Sequence, residues 1–180
     1  MIGETINAPY AEKFTVSNVF SSDMVVQRGE HIRVWGFADA SENGHKVSGE
    51  FMGMLAEARI ENGAWTLTFG ARLNACAEQG NSMRIYTDRT AFVFENVLVG
   101  DVFMVIGQSN VAYSMAAHRA AVPEAERGGV GYDVPSTPIR LHYNSLMQET
   151  GVTRGTEEVC AELRNRETWK RADAAAVQDF

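Results

Sequence analysis

Cysteine is scarce in this sequence, with Cys76 and Cys160 the two examples in 180 residues. They fall in what read as different structural units, and neither has neighbours that suggest a metal site. Two free thiols are the default expectation, and a disulfide framework has no support. Long apolar runs are lacking too: no stretch approaches the roughly 18 continuous apolar residues of a membrane-crossing helix. There is no basic run, and 23 acidic against 16 basic residues give a formal charge of −7. Such a chain offers little to nucleic acid or to an anionic membrane surface, and neither is expected as a partner. The first ten residues have neither a positive start nor an apolar core, so they do not read as a signal peptide. That leaves a cytoplasmic protein or one whose leader has been removed.

What is present is the composition of a globular protein, 45% hydrophobic and 22% charged, long enough for one ordinary domain or two small ones. After an N-terminal extension over residues 1–13, residues 14–98 read as all-β. Ile32 and Val34 mark one strand, followed by Gly36 at a bulge or close approach. Val47, Gly49 and Phe51 alternate, as do Trp65, Leu67 and Phe69, then Met83 with Ile85 and Phe92 with Phe94. Asn62-Gly63 supplies the positive φ pair of a type I′ hairpin turn. Short strands with turns every ten or so residues fit a β-sandwich of about immunoglobulin-domain size.

From residue 99 the pattern changes. Residues 102–106, nearly all apolar, suit a central parallel strand covered on both faces. Residues 110–121 are Ala-rich and predict a crossover helix, and residues 139–143 predict a second strand, completing one βαβ unit. The Gly- and Pro-rich stretch 127–138 reads as a loop, and its glycines lack the strand and helix that a phosphate-binding turn requires. Residues 144–166 read mostly as loop, and residues 172–180 as the start of another helix. The expected fold is thus mixed, a β-sandwich followed by the beginning of an α/β domain with a parallel sheet, residues 99–180.

The predicted strand 102–106 runs into Gly107-Gln108-Ser109-Asn110. A serine at the carboxyl end of a buried strand, facing a helix start, is where an open α/β sheet places its chemistry. Unpaired backbone N–H groups there suit an oxyanion, and Ser109 suits a nucleophile attacking a carbonyl. Gly107, Gln108 and Asn110 are the candidate oxyanion or substrate-positioning residues. The alternative is an ordinary strand-to-helix turn with Ser109 as its N-cap.

Five blocks in order, Val16-Ser-Asn-Val-Phe-Ser-Ser-Asp-Met-Val-Val-Gln-Arg28, Ile32-Arg-Val-Trp-Gly-Phe-Ala38, Gly63-Ala-Trp65, Asn96-Val-Leu-Val-Gly-Asp-Val-Phe103 and Gly107-Gln-Ser-Asn110, resemble the sialate O-acetylesterase family, a branch of the SGNH (GDSL-like) hydrolases. A weaker match continues through Ile139-Arg-Leu141 and Trp169-Lys170 to Asp179-Phe180. Val111 stands where the family usually has Met. The resemblance implies a small β-sandwich ahead of the hydrolase domain, a serine nucleophile at Ser109, and removal of O-acetyl groups from sialic acid or a related acetylated sugar. It implies no metal or organic cofactor, and its members are often secreted, periplasmic or lysosomal.

Serine chemistry needs a general base, usually a histidine oriented by a carboxylate. The family provides it from an Asp-x-x-His element, and that spacing does not occur in this sequence. The chain thus reads as holding the nucleophile half of a site, in a hydrolase domain cut short after its second strand. Of the four histidines, His31 and His45 read as solvated positions near turns, and His118 lies more than two helical turns from Ser109. His142, towards the end of the second predicted strand, is the candidate substitute base, and Asn144 lines the same strand end. Asp101 reads as a structural carboxylate accepting backbone hydrogen bonds where the strand begins. A half-built sheet would leave an apolar edge, so a second copy or a complementing polypeptide is expected to cover it. The competing reading is a catalytically silent β-sandwich module that binds carbohydrate, with Trp35, Trp65 and Tyr86 as stacking candidates.

Overall fold

The computed structural model of the chain describes residues 13–17, 19–76, 80–105, 113–127, 138–142, 168–173 and 176. The described fold is mostly β-strand, in several sheets, with one α-helix. Strands β1 (Phe14–Val16), β3 (His31–Ala38) and β6 (Ala64–Arg72) form an antiparallel three-stranded sheet in the order β1-β3-β6. Strands β4 (Lys46–Phe51), β5 (Met54–Arg59), β7 (Met83–Tyr86) and β8 (Ala91–Phe94) form a second sheet in the order β5-β4-β7-β8. A short parallel pair joins β2 (Val25–Gln27) to β9 (Leu98–Gly100).

Period-two alternation explains the core. Ile32 and Val34 in β3, Trp65, Leu67 and Phe69 in β6, and Met83 and Ile85 in β7 are buried, while their neighbours face solvent. Both sheets contribute to one apolar cluster, bridged where the rings of Phe51 and Phe69 meet edge-on at 6.3 Å. Each large apolar side chain so buried contributes roughly 1.5–3 kcal/mol, which makes this cluster the main stabilising element of residues 13–100. Trp65 also donates from its indole nitrogen to the Thr15 carbonyl at 3.1 Å and stacks on Phe14. Gly36 allows that approach, because a Cβ there would sit 2.0 Å from the Thr15 carbonyl oxygen. The close approach expected at Gly36 is therefore present, while the irregularity in the sheet falls between His31 and Arg33.

Asn62 and Gly63 adopt positive φ, +52° and +75°, and the turn is closed by a bridge between Glu61 and Ala64. The turn forms as its chemistry dictates, yet β5 and β6 belong to different sheets, so it carries the chain between sheets rather than closing a hairpin ladder.

Beyond Gly100 the described residues differ from the expected α/β pattern in three places. Residues 101–105 form no strand, and Val102, Phe103, Met104 and Val105 are 41, 84, 85 and 71% exposed. The parallel ladder stops because β2 ends at Gln27 and turns away at Gly29 (φ +73°), leaving no strand beside 102–105 among the described residues. The helix, α1 (Met115–Ala121), starts after Asn110: Ser114 is its N-cap, its Oγ accepting from the Ala117 N–H at 3.2 Å. Finally, β10 (Arg140–Leu141) pairs antiparallel with β11 (Lys170–Arg171), so the second strand closes a two-stranded ribbon rather than a parallel βαβ unit.

Candidate functional site

The run that precedes Gly107-Gln108-Ser109-Asn110 in the sequence is anchored at its base. The Val102 N–H donates to Gln27 Oε1 at 2.8 Å, and Arg28 Nε donates to Asp101 Oδ1 at 2.7 Å. Asp101 therefore binds a guanidinium rather than the backbone donors expected of it. That hydrogen bond holds its carboxyl below the ordinary carboxylate range and raises Arg28 in turn. Gly107, Gln108, Ser109, Asn110 and Asn144 lie outside the described residues, as does Cys160. The N-terminal dipole of α1 falls at Ser114, the residue that caps it.

His142 follows β10 and is half-buried, its ring 5.4 Å from that of Trp169. Trp169 is itself held twice: its indole N–H donates to the Val19 carbonyl at 2.8 Å and its backbone N–H to Ser21 Oγ at 3.0 Å. Asp23 lies at the centre of the same junction. Its Oδ1 accepts from Asn96 Nδ2 and, at 3.0 Å, from Arg171 Nε, and lies 3.9 Å from Arg140 Nε. Arg140 has a side chain only 4% exposed, and burial lowers its pKa while Asp23 opposes that shift. Two guanidiniums thus share one carboxylate, a latch fastening the β10–β11 ribbon to the loop before β2. Sequence reading missed this latch, although Asp23, Arg140 and Trp169 all fall within the blocks that carry the family resemblance.

The other histidines are placed as follows. His31 Nδ1 lies 3.3 Å from the Phe69 carbonyl oxygen, and His118 lies in α1 with its ring 6.2 Å from that of Tyr113. His45 is more than a solvated position, since its Nδ1 lies 2.9 Å from Glu42 Oε2. This is a histidine–carboxylate pair of the kind that orients a base, but Arg89 Nη1 also donates to Glu42 at 3.1 Å and shares its charge. Among the stacking candidates, Trp65 is buried and Tyr86 donates to Glu50 Oε1 at 2.9 Å, whereas Trp35 remains 41% exposed. Cys76 is a free thiol, with Asn81 Nδ2 3.6 Å from its sulfur. Among the described residues no three of His, Cys, Asp and Glu gather into a metal-binding group.

No protein-family model matches the chain, and no curated protein matches it. A solved structure does: the chain is similar in fold to a carbohydrate acetylesterase from Xanthomonas citri, with a TM-score of 0.57 and 21% sequence identity. The match covers 93% of this chain and 34% of that one, so the chain spans about a third of its structural neighbour's length. At that identity the likeness is one of fold.

Proposed function

We propose that this polypeptide is part of a carbohydrate esterase that removes O-acetyl groups from sialic acid or a related acetylated sugar, with Ser109 as the nucleophile. The observation carrying this reading is the fold likeness to a carbohydrate acetylesterase over 93% of the chain. The Gly107-Gln-Ser-Asn110 block supports the choice of nucleophile. In this reading residues 14–98 are an immunoglobulin-like β-sandwich and residues 99–180 begin an SGNH-type α/β domain. The Ser109 hydroxyl loses its proton to a base and its oxygen bonds to the acetyl carbon. The tetrahedral oxyanion rests on backbone N–H groups near Gly107 and Asn110, with the Gln108 amide orienting the sugar. Collapse breaks the bond to the sugar oxygen, which leaves with the proton, and water then releases acetate from the acyl-serine.

The sequence holds no Asp-x-x-His, so in this reading a complementing polypeptide supplies the base, with His142 the candidate within the chain. Hydrolysis of p-nitrophenyl acetate by the purified chain beside Ser109→Ala tests this. Equal, near-background rates are expected of the chain by itself. Turnover well above background that survives Ser109→Ala would remove Ser109 from the mechanism.

A further inference from the structure

The outer faces of the two sheets differ in how far their polar side chains satisfy one another. On the β5-β4-β7-β8 sheet, Lys46 pairs with Glu57, Tyr86 donates to Glu50, and Arg84 lies 4.4 Å above the Tyr86 ring while also facing Glu50. That face is closed on itself. On the β1-β3-β6 sheet the outward positions include Arg33 and Trp35 of β3 and Thr66, Thr68 and Arg72 of β6, all exposed. Among the described residues, Arg33, Thr66, Thr68 and Arg72 make no side-chain hydrogen bond or ion pair.

The register sets Trp35 directly opposite Thr66 and Arg33 opposite Thr68. Cross-strand neighbours lie about 5 Å apart and same-face neighbours along a strand about 7 Å apart, so the four form a patch about the size of one pyranose ring. The Phe20 ring meets the Trp35 indole edge-on at 4.6 Å, fixing it while much of it stays in solvent. No outward position of β1, β3 or β6 holds a carboxylate, in a chain with net charge −7. The charge is therefore complementary to an anion, and the flat indole with two hydroxyls beside it suits a sugar ring.

We propose that this face binds a carboxylate-bearing saccharide: Trp35 stacks on the ring, Thr66 and Thr68 bond its hydroxyls, and Arg33 takes the carboxylate. The proposal does not depend on the esterase reading.

Calorimetric and NMR titration of the full 180-residue chain with trigalacturonate tests the proposal, with maltotriose and triglutamate as controls. Trigalacturonate should bind best and shift the resonances of Arg33, Trp35, Thr66 and Thr68. Arg33→Gln and Trp35→Leu should each weaken it by about tenfold or more. Should Trp35→Leu fail to fold, Thr66→Val, which keeps the side-chain shape and removes the hydroxyl, should still weaken binding. Absence of trigalacturonate binding, equal binding of triglutamate, or indifference to Arg33→Gln would overturn the proposal.

Discussion

Residues 13–100 and the described residues beyond them are held by different forces. The first region is built on a two-sheet core in which Val34, Leu67, Phe69, Val47 and Ile85 are wholly buried. Among the described residues beyond Gly100, buried apolar positions are few, Phe103 and Met104 face solvent, and the β10–β11 ribbon is fastened by Trp169 and the Asp23 latch. Hydrophobic burial is non-directional and shared among many side chains, whereas a latch depends on a few groups. The second region should therefore yield to a single polar substitution that leaves the first intact.

The largest effect is expected from a substitution in the core. Gly36→Ala places a methyl against the Thr15 carbonyl and the Trp65 ring, at 2.0 and 2.5 Å, with backbone on one side. It should cost about 4 kcal/mol or more, or prevent folding, and a denaturant titration should show both regions lost together. A smaller and more selective effect is expected of Asp23→Ala, which leaves the buried Arg140 facing Arg171 with no shared anion. Breaking a buried pair costs roughly 3–5 kcal/mol. Because Asp23 is partly exposed, about 1–3 kcal/mol is expected here, solvent screening part of the loss. Hydrogen exchange should then speed up over residues 168–173 while β4, β6 and β7 stay protected. Equal acceleration in both regions would show that the latch belongs to the core's own cooperative unit.

The contrast also marks what was legible in the sequence. Alternation located Trp65, Leu67 and Phe69 in the core, and Asn62-Gly63 located a tight turn, because both signals are local. Which sheet each flanking strand would join was not legible, since pairing depends on residues far along the chain. The apolar run 102–106 promised a buried strand, but burial requires neighbouring strands and β2 ends too early to supply one. The helix begins later than the Ala-rich run 110–121 suggests, because the Ser114 hydroxyl captures the Ala117 N–H. The latch joins Asp23 to Arg171, 148 positions away, and no spacing rule connects them. Of the candidate site, His142 is described beside Trp169, while Gly107, Gln108, Ser109, Asn110 and Asn144 lie outside the described residues.

The most direct test of the central claim is to find where an acetyl group lands. An activated ester with a good leaving group asks little of a base, and an acyl-serine without a base to hydrolyse it should persist. The chain, its thiols alkylated, is treated with p-nitrophenyl acetate and the modified hydroxyls are mapped by peptide mass spectrometry. Acetyl is expected on Ser109 in preference to every other serine, and none at that position in Ser109→Ala. Acetylation spread evenly over the serines, with Ser109 no more reactive than the rest, would contradict it.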